Sequence, residues 1–293
     1  MHLPTFDVPD VPLATAPKPH QIAILTASDG GGHNGGIPNI IAQAMTNRNA
    51  YARLHGYHHQ FINISSYDVS GAHAVWKKIP AIIDCFRLNP EVQWIWWLDL
   101  DAIIMNSDID LTEYLLSPEA MDKVLEKDTD YVRGLRKLGL KTPKKYDLAN
   151  IDLLVSNDLN GLNAGSFFIR RSAFTQILLR LWIDPLYMFQ PWEGREQEVL
   201  AHLINSHDWI RSHVGWVKQK WINAYAFGGD DGWQWTKDCV VVHFAGCWVD
   251  GMDACKSRWN EFMGKADQKL RVDERGNPVV RGLQGVGNEH VDY

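Results

Sequence analysis

Two aspartates set one residue apart, Asp99 and Asp101, follow directly on the wholly apolar run WIWWL at 94–98. An unbroken apolar run of that length reads as a central strand covered on both faces. In open α/β sheets ligands bind beyond the carboxyl ends of the strands, so acids at this point are placed to do chemistry. On an extended backbone the two carboxylates project to one side, where they repel unless a cation or a proton lies between them. Oxygen ligands of this kind suit Mg²⁺ or Mn²⁺, ions that also bind phosphate oxygens. A bare D-x-D is common in loops; position is what sets this one apart. An EF-hand is excluded, because the Gly and the distal Glu of that loop are missing. His243 ends a second apolar run, CVVVHF at 239–244. A neutral imidazole there could complete a shell begun by Asp99 and Asp101, although a lone histidine in such a place also serves as an ordinary core residue. His202 and His207 are five apart rather than four, so the zincin helix pattern fails. They and the pair His58–His59 read as structural or surface residues.

A glycine-rich segment invites a rival reading. Gly30 to Gly35 contains a literal G-x-G-x-x-G after a strand and before a helix, the fingerprint of a nicotinamide-dependent oxidoreductase. That fold needs an acid about 20 residues further on to hold the ribose. The stretch His55–Ile64 has no Asp or Glu, so the second requirement fails. The loop still allows close approach of a nucleotide to free backbone N–H groups, or it is a plain surface loop.

The elements that must position these residues alternate between strand and helix, as in an α/β domain. Gln21–Thr26 reads as a buried strand. Pro38 stands where a helix can begin, with Ile40, Ile41, Ala44 and Met45 on one face. His59–Ile64 is a second strand, and Ile79–Leu88 a helix stopped before Pro90. Further on, a strand is expected over Gly165–Ile169, helices near Ser172–Trp182 and Glu196–Ser206, and a strand over Cys239–Phe244. Residues 1–20 hold five prolines and read as an extended stem; 21–267 form the domain; 268–293 read as a surface-wrapping or disordered tail.

Composition bounds the rest. With 293 residues, 45% hydrophobic, and 29 Lys+Arg against 35 Asp+Glu, the chain is weakly acidic. A sequence-independent nucleic-acid binder needs a basic face, so that class is set aside. No run approaches the roughly 18 apolar residues of a membrane span, and no signal peptide opens the chain. Four cysteines are too few for a disulfide-built scaffold; Cys247 and Cys255 lie close enough to pair, while Cys85 and Cys239 look buried. The outlier is tryptophan, 13 residues with none before Trp76. Trp94, Trp96 and Trp97 are assigned to the core. Trp233, Trp235 and Trp248 lie beside Gly-rich or polar segments, where an indole could pack inward or stack on a sugar.

Taken in order, several segments resemble glycosyltransferase family 34, the fungal Golgi α-mannosyl- and α-galactosyltransferases. They are ILTASDGGGHNGGIPN (24–39), VWKKIPAIID (75–84), WIWWLDLDAIIMN (94–106), GLNAGSFFIRRS (161–172), REQEVL (195–200) and VVHFAGCWV (241–249). The HNGGIPN and WIWWLDLDAIIMN segments look most like the α-1,6-mannosyltransferases of the mannan-polymerase complex. The resemblance implies a single-domain GT-A fold with a Rossmann-like, mostly parallel sheet, a nucleotide-sugar donor and a divalent metal, Mn²⁺ or Mg²⁺. Asp99 and Asp101 match the family D-x-D, and His243 its metal histidine. Lys78 resembles a basic residue that approaches the donor, Asn163-Ala164-Gly165 a turn against the transferred sugar, and Glu196-Gln197 a pair near the anomeric carbon. Thr26, Ser28 and Asp29 ahead of the glycine loop, with Leu100, Gly246 and Trp248, complete the donor-binding set. Where plant members carry a basic residue after H-F-x-G-C, this chain has Trp248, so phosphate contacts are not carried over there.

The same resemblance implies transfer of mannose from GDP-mannose onto an oligomannose or mannan acceptor, with α-1,6 linkage and retained configuration. One route has the acceptor attack from the leaving-group face while a phosphate oxygen takes its proton. The other forms a glycosyl-enzyme, with Glu196 the better nucleophile beside Gln197. The alternatives are an α-1,2-galactosyltransferase using UDP-galactose, or a non-catalytic glycan-binding subunit among other mannosyltransferase subunits. Family members are Golgi-luminal type II membrane proteins, and their anchor would lie outside this chain. Asn63-Ile64-Ser65 is a glycosylation sequon suited to that compartment.

Overall fold

A computed structural model describes residues 3–9, 15–31, 36–133, 136–227, 233–267, 271–272 and 278–279. The strands and helices of the first half run β1 (Ile22–Ser28), α1 (Ile40–His55), β2 (His58–Asn63), α2 (Lys78–Leu88), β3 (Trp94–Leu98), β4 (Ala102–Ile104) and α3 (Pro118–Val124). A hairpin follows, β5 (Asp130–Arg133) with β6 (Arg136–Lys141), and then the pair β7 (Leu153–Asp158) and β8 (Gly161–Arg170). Beyond them lie α4 (Ala173–Trp182), α5 (Pro185–Met188), α6 (Arg195–Ser206), α7 (Asp208–Arg211), β9 (Val214–Trp216), α8 (Gln219–Ile222), β10 (Ala224–Tyr225), β11 (Val241–His243) and α9 (Met252–Asp267).

The main sheet has the order β2-β1-β3-β8-β7-β9. The β1–β2, β1–β3 and β7–β9 pairs are parallel, and β8 lies antiparallel between β3 and β7. This is the mostly parallel α/β sheet expected from the alternation of elements. Period-two side-chain direction sorts the apolar strands into two cores. Ala23, Leu25, Ile95, Trp97, Phe167 and Ile169 face a layer supplied by α2, α4 and α6. Ile22, Ile24, Trp94, Trp96, Leu98 and Phe168 face the opposite layer, with Tyr51 of α1 and Met121 and Val124 of α3. The tryptophan-rich strand is therefore core on both faces, as its composition predicts. Trp96 stacks on Phe168 across the β3–β8 pair at 5.1 Å, and its indole N–H donates to Ser166 Oγ at 3.0 Å.

A small second sheet, β10-β11-β4, and a third core hold the far end. There α9 lays Trp259, Phe262 and Met263 against Leu100, Ile103, Val242 and Phe244. A disulfide joins Cys247 to Cys255, tying the turn after β11 to α9, and the free Cys85 and Cys239 are buried.

Two expectations change. The Pro-rich opening packs on the domain where it is described: Leu3 and Phe6 are buried, and Phe6 stacks near Phe86 at 4.8 Å. Its backbone supplies carbonyls to Arg171 and Gln176, which is why so proline-rich a stretch can be held without regular structure. Asn163-Ala164-Gly165 is not a turn but the interior of the ten-residue strand β8. The turn comes earlier, where Gly161 (φ +120) closes a tight reversal from Asp158. Of the tail expected over 268–293, only the antiparallel pair Arg271–Val272 and Pro278–Val279 is described; the remainder, like 32–35 of the glycine loop, lies outside the described residues. No described helix is long and apolar enough to cross a membrane.

Candidate active site

The D-x-D sits in the tight crossing from β3, in the main sheet, to β4, in the small one. Arg48, fully buried in α1, shapes that crossing from below. Its Nη1 donates to Thr26 Oγ1 (2.5 Å) and the Leu98 carbonyl (3.2 Å), and its Nη2 to the carbonyls of Asp99 (2.5 Å) and Ala102 (3.0 Å). Burial pulls this guanidinium down to about 10, against the raising pull of Asp101 and Asp99. Asp101 is buried and Asp99 is partly exposed.

His243 reaches the same point by strand register. In the antiparallel β11–β4 pair His243 stands opposite Ala102, and the Phe244 N–H donates to the Asp101 carbonyl at 2.9 Å. His243 Nε2 lies 3.3 Å from Asp101 Oδ1. Asp99, Asp101 and His243 each offer one ligand atom within 4.8 Å of the others. Two carboxylates and an imidazole form a donor set that fits Mn²⁺ or Mg²⁺. On His243 burial pushes the imidazole down, and Asp101 more than reverses this, leaving it above its ordinary value. Burial likewise works to raise Asp101, but His243 and Arg48 hold it below the usual carboxylate range.

Behind His243 runs a chain of amides. His243 Nδ1 pairs with Asn223 Oδ1 at 2.7 Å, and the Asn223 amide donates to Asn163 Oδ1 at 2.9 Å. Asn163 in turn donates to Asp158 Oδ2 (2.9 Å) and the Tyr225 hydroxyl (3.0 Å). Gly165 packs flat beneath the imidazole, where any Cβ would run into the ring. Asn223 and Tyr225 carry no mark in the sequence; nothing in KQKWINAYAF signals that two of its polar residues stand beside His243.

Lys78 and Glu196 approach from the α2–α6 side, both buried. Lys78 Nζ lies 3.1 Å from Glu196 Oε1, 3.5 Å from Asp99 Oδ1 and 2.6 Å from the Ala164 carbonyl. Burial alone would lower this ammonium, but Asp99 and Glu196 together carry it above its ordinary value. Trp97 donates to the same Asp99 oxygen at 2.7 Å. Gln197 Oε1 accepts from the Ala164 N–H at 3.3 Å, and the Glu196 carbonyl accepts from the Trp182 indole at 2.6 Å. Asp99, Asp101, His243, Lys78, Asn163, Ala164, Gly165, Glu196 and Gln197, drawn from distant segments of sequence, thus form one connected cluster.

The other named residues stand differently. Thr26 is fully buried, with its hydroxyl accepting from Arg48, so it lies beneath the site rather than in it. Leu100 turns its side chain into the third core. Ser28 and Asp29 accept from the N–H groups of Gly30 and Gly31, shaping the start of the glycine loop, and Lys77 pairs with Asp29 at 3.6 Å. Gly246 (φ +69) opens the short turn that carries Trp248. Trp235 packs edge-on against Phe262, so its indole belongs to the third core. Among the histidines set aside, His59 touches Thr26 Oγ1 at 3.4 Å.

Residues 18–254 match the galactosyl transferase GMA12/MNN10 family. The chain is 37% identical over 255 residues to the probable α-1,2-galactosyltransferase gmh1 of Schizosaccharomyces pombe, covering 85% of this chain and 75% of that protein. An uncharacterized α-1,2-galactosyltransferase of the same yeast is also 37% identical, over 76% of this chain and 60% of its own length. The probable α-1,6-mannosyltransferase MNN10 of Saccharomyces cerevisiae is 31% identical over 78% of this chain and 62% of its own. Among solved structures, a glycosyltransferase involved in the glycosylation of the major capsid of PBCV-1 shares the fold, with a TM-score of 0.56 at 15% identity, covering 82% of this chain and 98% of that one. With the family matched across the whole described cluster, the chain belongs to the galactosyl transferase GMA12/MNN10 family of glycosyltransferases.

Proposed function

We propose that this chain is a divalent-metal-dependent, retaining hexosyltransferase that moves a sugar from a nucleotide-sugar donor to a glycan acceptor. The observation that carries this reading is the convergence of Asp99, Asp101 and His243 beside the buried Lys78. Asp99, Asp101 and His243 would hold a divalent cation, which would supply Lewis-acid neutralisation of a leaving diphosphate. Lys78 adds a fixed positive charge at the same place, in a buried setting where electrostatic stabilisation is strong. Glu196 holds that ammonium at 3.1 Å. A carboxylate engaged in an ion pair is a weakened nucleophile, which favours attack from the leaving-group face, with a donor phosphate oxygen taking the acceptor proton. Gln197, next to Glu196 in sequence, is braced on the Ala164 N–H.

For the donor, the HNGGIPN and WIWWLDLDAIIMN segments favour GDP-mannose and an α-1,6 product on oligomannose or mannan. A second reading has its own support: identity to the probable α-1,2-galactosyltransferase gmh1, 37%, exceeds that to MNN10, 31%, and favours UDP-galactose as the donor. Under either reading the proposed compartment is the Golgi lumen, as the family resemblance implies. Turnover of GDP-mannose and UDP-galactose with a mannose-terminated acceptor, followed by NMR of the product linkage, separates them. An α-linked hexose from one donor is expected; a β-linked product, or turnover of neither donor, would sink the reading.

A further inference from the structure

Each hydrogen-bonding position of the Asn163 amide is filled from within the protein. Its Nδ2 donates to Asp158 Oδ2 at 2.9 Å and to the Tyr225 hydroxyl at 3.0 Å. Its Oδ1 accepts from the Gly165 N–H at 2.8 Å and from Asn223 Nδ2 at 2.9 Å. A primary amide has two N–H groups and two lone pairs, so nothing is left over for a ligand. The side chain is buried as well. The family resemblance sets this residue against the transferred sugar; its bonding runs instead toward His243.

The direction of every bond follows from the far end of the chain. Asp158 presents a carboxylate, which only accepts: Oδ2 from Asn163 and Tyr225, and Oδ1 from the Asn160 N–H at 2.6 Å. Burial, with the charge of Asp158, pushes the Tyr225 phenol well above its ordinary value, so it keeps its proton and donates. With both N–H groups turned to that end, Asn163 offers only oxygen to Asn223. Asn223 must then spend its Nδ2 on Asn163 and turn its Oδ1 to His243, 2.7 Å from Nδ1. An acceptor in that place holds the proton of a neutral imidazole on Nδ1. The Gly165 N–H fixes Asn163 in the same sense, and Gly165 and the edge of Tyr225 confine the ring itself.

We propose that Asn163, anchored on Asp158, is a positioning residue for His243 and not a sugar contact. Through Asn223 it keeps the proton on Nδ1 and leaves Nε2 to a divalent cation. This rests on the reading of Asp99, Asp101 and His243 as metal ligands.

The test reads Mn²⁺ affinity by calorimetry without nucleotide sugar. The His243 tautomer is read by ¹⁵N NMR of metal-free protein at alkaline pH, where the imidazole is neutral. Wild type is expected to carry the proton on Nδ1. Asn163→Leu frees the Asn223 amide to turn over; it is expected to lose that tautomer and to bind Mn²⁺ about 10–100-fold more weakly. Asn163→Asp, the milder change, sets two carboxylates face to face and is expected to weaken Mn²⁺ binding by about tenfold or more. Adding Asp158→Asn to it reverses the bonds among residues 158, 163 and 225 while Asn223 still meets an acceptor, so wild-type affinity and tautomer are expected to return. Circular dichroism checks each fold; if Asn163→Leu does not fold, the Asn163→Asp pair decides. Wild type with the proton on Nε2, folded single variants that bind Mn²⁺ as wild type does, or a folded double variant that regains neither property overturns the proposal. If wild type binds no Mn²⁺, the metal reading fails, while the tautomers of wild type and Asn163→Leu still decide the positioning role.

Discussion

At His243, one hydrogen bond decides which nitrogen can meet a cation. Asn223 Oδ1 accepts a hydrogen bond from the Nδ1–H, leaving Nε2 turned toward Asp101. Partners of this kind orient a ligating imidazole, and their loss typically costs 10–100-fold in metal affinity. Asn223→Ala is therefore expected to weaken Mn²⁺ binding by about 10–100-fold with the fold retained, as read by calorimetric titration. Unchanged affinity would remove Asn223 from the site. Gly165→Ala is expected to abolish Mn²⁺ binding, since the added methyl occupies the place of the imidazole. The contrast between these residues and the aspartates shows what sequence can convey. Asp99 and Asp101 were legible because they end an all-apolar strand, and His243 because it ends another. Asn223 is an ordinary amide in a polar segment, brought to His243 by the pairing of β10 with β11.

At the scale of elements, α1 does more than cover the sheet. Arg48 donates to the carbonyls of Leu98, Asp99 and Ala102 and fixes the path from β3 to β4. Leaving buried carbonyls unpaired costs about 1–3 kcal/mol each, so Arg48→Met is expected to cost roughly 3 kcal/mol or more in a denaturant titration. A loss below about 1 kcal/mol, the low end of that range, would mean that the crossing holds its own shape. Helical periodicity marked the apolar face of α1 but could not mark a buried arginine on it, because its partners are backbone atoms from another element. β2 carries a related effect. Burial, then the charge of Arg48, pulls His59 from 6.5 down to about 4. The unfolded chain thus takes up a proton more readily than the folded one, and the stability contributed above pH 6.5 is lost as pH falls toward 4. Between about pH 7 and pH 5 wild type is expected to lose more stability than His59→Gln; equal losses would contradict the assignment. β5, β6, β7 and β9 were not anticipated, since their pairing rests on a long-range register that short mixed segments do not announce.

Across the whole molecule, three cores converge on one place: the sheet contributes the D-x-D, the α2–α6 layer Lys78 and Glu196, and the small sheet His243. The Cys247–Cys255 bridge closes a short loop beside that last contribution. By loop entropy its removal in Cys255→Ser is expected to cost roughly 2–3 kcal/mol, measured by thermal unfolding, with the α9 side affected first. The fold class was readable from alternating strand and helix patterns; the meeting of distant segments was legible mainly through the family resemblance, since physically it depends on the crossing between two sheets. The most direct test of the central claim is release of nucleoside diphosphate from GDP-mannose and from UDP-galactose by chelator-stripped protein, with and without added Mn²⁺. Wild type is expected to turn over one donor only when Mn²⁺ is restored, and Asp101→Ala to fall by about a hundredfold or more. Turnover that is equal in both proteins and indifferent to Mn²⁺ would contradict the account.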